Sequence, residues 1–456
     1  MCMWIIISDV SHIHTHSMGS SPTKLHSTNT HSREKFLFSY TIGKGGFGKV
    51  SSVMHLQSKD WFAMKEINIR QLLTHKHGLS LILSELRALK SVGRHQFVVG
   101  LNSAFHDAQY CYMALDLCTG GDLRYHLRRR EPFTEDRVAF VVVCISSALH
   151  HIHSKGILHR DVKPENIMFD EYGYALLTDF GVSYVGEPKI VAQDHDVICH
   201  MASGTRQYLA PEVFTKSHTH GCASDFWSLG VVAYEMVYGQ RPFSKHVPLD
   251  FIRYAEDKLA REKPVKASTV AISSTVPVQR NLMSFGSCRE RGLLNDKLRV
   301  PVPEASPVNG HLSDACVRVI SGLLDVRQTH RLGHGENNYA RLCNSDWFLG
   351  SGFSYSQVEN MVVQPPFRPN LREVSLDICD PYSPPEMTQD EDTSTPSDPG
   401  LPLSVEEQLR RFYYVSDEYA KYAETKEVAV VSEERCEVTI PTPALTTIPQ
   451  PTVLSS

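Results

Sequence analysis

Between His159 and Gly181 lies a run of side chains suited to moving a phosphoryl group onto a hydroxyl. His159-Arg160-Asp161-Val162-Lys163-Pro164-Glu165-Asn166 supplies a carboxylate, a lysine two residues on and an amide five residues on. Thr178-Asp179-Phe180-Gly181 adds a second carboxylate at a Phe-Gly turn. Such a transfer needs a base for the hydroxyl proton, a cation beside the transferred group and hard oxygen ligands for Mg²⁺. Each short pattern alone can arise by chance. Their joint occurrence, in this order and in a chain of this length, is hard to read as coincidence.

These groups need a scaffold that gathers them around one point. Phe36-Leu37-Phe38-Ser39-Tyr40-Thr41-Ile42 has strand character and runs into Gly43-Lys44-Gly45-Gly46-Phe47-Gly48-Lys49-Val50. A lone G-x-G-x-x-G also occurs in dinucleotide-binding folds, where a helix follows the glycines. Here residues 50–54 and 61–65 predict two further strands. The glycines therefore lie in a strand–turn–strand whose backbone amides can close over phosphates. Residues 78–91 set Leu81, Leu86 and Leu89 around Glu85 at helical spacing, and residues 98–117 predict two more strands. Helices are predicted over 123–130 and 134–153, with Glu135 and Asp136 suited to the N-terminus of the second. In isolation Lys65 reads as an exposed strand lysine and Glu85 as a surface carboxylate.

The spacing of the His159 and Asp179 runs resembles the catalytic loop and DFG turn of eukaryotic protein kinases, written H-R-D-x-K-P-x-N in the Ser/Thr branch. Phe62-Ala63-Met64-Lys65 stands where those enzymes carry V-A-I-K. The resemblance implies an α+β, bilobal protein kinase fold: a small β-rich lobe with a helix αC, a large helical lobe and ATP between them. It implies Asp161 as the base, Lys163 beside the transferred group, and Lys65 on the α- and β-phosphates with Glu85 as its partner. Asn166 and Asp179 would hold Mg²⁺, with Mn²⁺ as a substitute. Ile42, Gly43, Lys44, Gly45, Gly46, Phe47, Gly48, Lys49 and Val50 would cover the nucleotide. Val50, Ala63 and Met168 would sandwich the purine, beside the gatekeeper Leu115 and a hinge at Asp116 and Cys118. Leu89, Leu101, Phe180 and His159 would form an internal stack. Residues 203–212, with Thr205, resemble the segment ending in A-P-E that docks a peptide substrate. Asp225 would hold the catalytic-loop backbone, and Arg331 would pair with Glu212. The match runs over residues 36–348, with 36–117 and 118–348 as the two lobes.

Thr178, Leu209-Ala210-Pro211-Glu212 and Pro365-Pro366-Phe367-Arg368-Pro369 resemble the AGC group, which includes cAMP-dependent protein kinase. Gly120-Gly121-Asp122-Leu123-Arg124-Tyr125-His126-Leu127 resembles its YANK subfamily. By that resemblance Asp122, Glu165 and Glu235 would receive substrate arginines, giving basic sequence contexts around the Ser/Thr acceptor. There are departures. Met201 stands where many AGC kinases carry a phosphothreonine, so Arg160 needs another anion, for which Asp194 and Asp196 are candidates, or a loop ordered without one. Arg206 replaces a usual proline. An insert at 263–297 reads as a mobile loop. Residues 349–372 resemble an AGC tail segment, and 373–456 read as largely disordered, with Phe412-Tyr413-Tyr414-Val415-Ser416 a loose echo of the usual hydrophobic motif.

A chain of 456 residues with 41% hydrophobic residues has room for one large two-lobed domain plus extensions. A net charge of −5 points to neither nucleic acid nor an anionic membrane as partner. Eleven cysteines without a C-x-x-C pair fit reduced thiols. No run of about eighteen apolar residues occurs, and the expectation is a soluble, monomeric, cytoplasmic protein. Residues 1–35 read as disordered; His12, His14 and His16 alternate, as metal ligands can, but have no other ligand cluster beside them. Met18-Gly19-Ser20-Ser21-Pro22-Thr23 fits N-myristoylation only if translation starts at Met18, the one route to a membrane. Against an active protein kinase stand an ATP-binding pseudokinase scaffold, disfavoured by the intact Lys65, Asp161, Asn166 and Asp179, and a small-molecule kinase, disfavoured by residues 205–212.

Overall fold

The computed structural model describes residues 32–45, 48–129, 133–186, 189–191, 194–261, 299–371, 373–374 and 403–416. The expectations for His12, His14, His16, Met18, Gly19, Gly46, Phe47 and the 263–297 insert lie outside the described residues. The chain forms two compact units, 1–414 and 415–456, and of the second only Val415 and Ser416 are described.

Five antiparallel strands build the small lobe: β1 (Phe36–Gly45), β2 (Gly48–His55), β3 (Trp61–Asn68), β4 (Leu101–His106) and β5 (Tyr110–Asp116). They lie in the order β1-β2-β3-β5-β4, with Tyr414 beyond β4 at the edge. The strands β3, β4 and β5 are buried over runs of consecutive residues, and Phe36 stacks on Phe105 at 5.8 Å and meets Phe62 edge-on at 6.3 Å. The β1–β2 register slips twice, between Phe38 and Thr41 and between Thr41 and Gly43, just before the glycines. Gly48 has a packing reason as well as a chemical one: a Cβ there would lie 1.8 Å from the Glu66 carbonyl oxygen on β3.

After a short helix α1 (Ile69–Leu73), helix α2 (Gly78–Val92) crosses the sheet and stops at Gly93, where φ is +69°. Its inner face is Ile82, Glu85, Leu86, Leu89 and Val92, at steps of three and four. Leu81, which the spacing grouped with Leu86 and Leu89, is instead 46% exposed. The apolar run Leu81-Ile82-Leu83 admits two phases, and packing selects Ile82.

The large lobe is helical: α3 (Leu123–Arg128), α4 (Glu135–Ser154), α5 (Ala223–Tyr238), α6 (Leu249–Arg261) and α7 (Asp314–Leu323), with small strands β6 (Ile157–Leu158), β7 (Ile167–Phe169) and β8 (Ala175–Leu177) facing the cleft. Helix α4 is long and apolar enough to cross a membrane, but 72% of its most apolar stretch is buried inside the lobe. It packs on α5, every residue of which is buried. The seven described cysteines are free thiols. The bilobal, α+β protein kinase fold expected from the sequence is the one observed.

The tail is more ordered than its composition predicts. Phe367 packs against His126, Phe133 and Phe169 of the large lobe, at 4.8, 5.4 and 5.1 Å. Farther on, a helix over Leu403–Leu409 and a turn over Arg410–Phe412 bury Val405, Leu409 and Phe412. Lys90 on α2 donates to the Tyr413 carbonyl at 3.0 Å and lies 5.2 Å from the Tyr414 ring centre.

Candidate active site

The site begins with a buried carboxylate. Asp225, in the first turn of α5, accepts the backbone N–H of Arg160 on Oδ1 at 2.8 Å and that of His159 on Oδ2 at 2.9 Å, and His153 Nε2 on α4 lies 2.8 Å from the same Oδ2. Burial opposes a charge there, but His153 and these N–H donors hold the carboxyl below the usual range. The clamp offsets a local cost, since Arg160 sits at φ +67°, a region worth about 1–2 kcal/mol of strain for a residue with a side chain. Asp179 is held similarly at +64°, and His159 Nε2 reaches the Thr178 carbonyl at 2.9 Å, tying loop to turn.

On this frame stands Asp161, 9% exposed. Lys163 Nζ donates to its Oδ2 at 2.6 Å, and the Thr205 N–H and hydroxyl both donate to Oδ1 at 2.7 Å. Lys163 also donates to the Thr205 hydroxyl at 3.1 Å. Burial pushes the Asp161 carboxyl up, and these donors together bring it below its ordinary value. Asn166 commits its amide nitrogen to the Asp161 carbonyl at 2.9 Å, leaving its amide oxygen available. Asp179 is half exposed. Among the described residues no group of three or more His, Cys, Asp or Glu side chains could by itself hold a metal. Two hard-oxygen donors fit an ion that Mg²⁺ chemistry normally completes with phosphate and water.

From the small lobe, Lys65 on β3 reaches Glu85 of α2 at 2.5 Å and Asp179 at 4.0 Å, so one ammonium links the two lobes. Burial disfavours that charge, but the carboxylates of Glu85 and Asp179 outweigh it and raise the pKa above its usual value. Leu89, Leu101 and Phe180 share one buried core, and the His159 ring meets Phe180 at 5.1 Å. Val50 pairs with Lys65 across β2 and β3, Ala63 with Leu115 across β3 and β5, and Met168 bridges to Asp122. The half-buried Ile42, Gly43 and Lys49 lie in the β1–β2 pair, with Lys44 opposite Lys49 and Gly45 opposite Gly48. The Asp116 carboxylate is taken up by Arg94, Asn102 and the Gly100 N–H, each at 2.8 Å. Burial, with Asp116 and Asp170 nearby, pushes the Cys118 thiol up to about 12, so it stays protonated.

The remaining expected residues fall less simply. Asp122 caps α3, accepting the Tyr125 N–H at 2.7 Å. Glu165 and Glu235 do come together, but around a residue that motif reading passed over, Arg124. Arg160 is satisfied by carbonyls: Val182 at 2.7 Å, Met201 at 3.2 Å and Ser183 at 3.3 Å, with the Cys199 sulfur at 3.4 Å. Asp196, a candidate anion for Arg160, instead accepts the N–H groups of Val197 and Cys222 at 2.8 and 2.9 Å; the Asp194 side chain lies outside the described residues. At the end of the 203–212 segment, Arg331 and Glu212 pair at 2.6 Å, both fully buried.

Residues 36–348 match the protein kinase domain family, well over half of the chain. A probable serine/threonine-protein kinase of Dictyostelium discoideum is 29% identical over 76% of this chain and 63% of its own length. Serine/threonine-protein kinase Sgk1 of Gallus gallus is 32% identical over 76% of this chain and 67% of its own. Human Sgk1 is 40% identical over 48% of this chain and 49% of its own. The chain thus spans a little under two thirds of the Dictyostelium relative.

Proposed function

The chain belongs to the protein kinase family, and from that premise we propose that it is a serine/threonine kinase that transfers the γ-phosphoryl group of Mg-ATP to hydroxyls of protein substrates. The observation that carries this reading is the setting of Asp161. It is an ionised carboxylate held from one side by Lys163 and from the other by Thr205, and so is aimed rather than left to rotate. In that role it accepts the proton of the substrate hydroxyl, with Lys163 next to the transferred group. Lys65, kept cationic and steady by Glu85, meets the α- and β-phosphates; Val50, Ala63, Leu115 and Met168 line the purine slot, and Asp116 and Cys118 form the hinge. Asn166 and Asp179 would hold Mg²⁺, which would supply charge neutralisation on the phosphates.

The finer reading has its own support. Asp122, Glu165 and Glu235 are three carboxylates near the acceptor end, which favours substrates with arginine near the acceptor. Residues 120–127, together with the tail on the small lobe, support a place in the AGC group near the YANK subfamily. The carbonyl cage around Arg160 supports a loop ordered without a phosphothreonine at Met201. We place the protein in the cytoplasm, with membrane attachment only through Gly19 after initiation at Met18.

Phosphate transfer from Mg-ATP to an arginine-containing Ser peptide tests the reading. The parent should transfer and Asp161→Asn should lose about 10²–10⁴-fold in kcat with ATP still bound, while mass spectrometry finds the loop around Met201 unmodified. A parent that binds ATP and transfers nothing would make it a nucleotide-binding scaffold.

A further inference from the structure

Arg124 lies on α3, two residues beyond Asp122, and each of its three guanidinium nitrogens donates. Nε donates to Glu165 at 2.8 Å, Nη1 to Glu235 at 2.9 Å, and Nη2 to the Tyr208 hydroxyl at 2.5 Å and to Glu235 at 3.3 Å. Tyr208 in turn donates to Glu235 at 2.6 Å. The Arg124 side chain is 16% exposed and that of Glu235 9%, so this is a built pocket rather than a passing surface contact. It borders the acceptor end of the site. Glu165 is four residues after Asp161 in the same loop, and Tyr208 is three residues after Thr205, which touches Asp161.

We propose that Arg124 is a resident competitor for substrate arginine and sets how strongly this enzyme selects basic substrates. The inference rests on the phosphotransferase reading and deepens it. A planar guanidinium bonded across two carboxylates is the arrangement a substrate arginine would seek. Arg124 already has it, and as part of the same chain it loses no translational freedom in forming it. A substrate arginine gains at Glu165 and Glu235 only what remains after displacing Arg124. Selection for arginine in the parent then falls mainly to Asp122, one of whose oxygens is engaged by the Tyr125 N–H.

The test compares kcat/KM for Ser peptides that differ by Arg or Ala at each residue preceding the acceptor. In Arg124→Ala the Arg-over-Ala ratio should rise at one position by roughly tenfold or more, through a lower KM for the arginine peptide. In Arg124→Ala/Glu235→Gln that gain should vanish, and Arg124→Lys, whose ammonium does not span both carboxylates, should give a ratio between those of the parent and Arg124→Ala. An unchanged or lower ratio in Arg124→Ala overturns the proposal. Should Arg124→Ala fail to bind ATP, Arg124→Gln, nearer in size and neutral, is read with the same two outcomes. Failure of the phosphotransferase reading looks different: the parent binds ATP and phosphorylates none of the peptides.

Discussion

Asp161, the proposed base, owes its charge to three donor groups on two neighbours, Lys163 and Thr205. Burial alone would hold its carboxyl above the usual Asp value of about 3.9, and Lys163 with the two Thr205 donors brings it below. The proposed proton acceptor is therefore ionised across the whole neutral range, and the acid limb of kcat/KM assigned to it should lie beneath pH 5. Removing the Lys163 ammonium deletes the largest lowering influence and leaves burial in place, so the folded pKa rises. In Lys163→Ala the acid limb should move up in pH, into a profile taken from pH 5 to 8 across which the parent shows none. A limb that stays put would show that Lys163 acts on the phosphate and not on the base. That Asp161, Lys163 and Asn166 touch, and that Asp179 meets Lys65, was legible in the sequence because such loops are written in contiguous residues with fixed spacing. The pairing of Arg124 was not, because its partners stand 41 and 111 residues away and only the packing of α3 against the catalytic loop and α5 joins them. The available signal was an arginine two residues from one of three carboxylates expected to face the substrate.

Secondary-structure elements are locked together by two fully buried polar anchors, Asp225 and the Glu212–Arg331 pair. Arg331 donates to Glu212, to the Ala223 carbonyl at the start of α5 and to the Asp325 carbonyl after α7, and stands over the Trp227 ring. Burial disfavours the Glu212 charge, and Arg331 outweighs it, so the folded pKa lies below its ordinary value. A carboxylate with a depressed folded pKa stabilises the fold above its unfolded pKa of about 4.3, and that contribution is lost as pH falls through the folded value. Arg331→Met should cost about 3–5 kcal/mol at pH 7, because it leaves an uncompensated buried carboxylate. In that variant Glu212 has a raised pKa instead, so protonation relieves it. The gap in urea midpoint between parent and variant should be widest at pH 7 and narrow below pH 4.3; a constant gap would argue against an ionic origin. The strands and helices of this lobe system were readable from periodicity, and Arg331 and Glu212 from their motifs. The inward phase of α2 was not, since the run Leu81-Ile82-Leu83 offers two faces and only the sheet beneath α2 chooses between them.

At the scale of the whole molecule, helix α2 is held from two sides. Inward, Glu85 takes Lys65; outward, Lys90, five residues later, takes the Tyr413 carbonyl 323 residues down the chain. In the segment leading to Tyr413, Val405, Leu409 and Phe412 are buried, Leu409 and Phe412 completely. The sequence announced this strap only as a loose echo of a hydrophobic motif from Phe412 to Ser416, because three apolar residues at spacings of four and three make fewer than three turns, within a tail otherwise rich in acidic residues, serine, threonine and proline. Such a segment cannot hold itself together as an isolated helix; its order comes from the surface it covers. The position of α2, and with it Glu85, should therefore depend on the tail. Phe412→Ala removes a side chain whose core truncation costs about 3–5 kcal/mol when the site cannot collapse, more than one short helix and its turn can absorb. The segment should then detach before the lobe unfolds. Hydrogen exchange should accelerate over residues 403–414 and also over α2, and the KM for ATP should rise as the Lys65–Glu85 pair loosens. Faster exchange confined to the tail, with α2 and the KM unchanged, would mean that the strap covers the small lobe without positioning it.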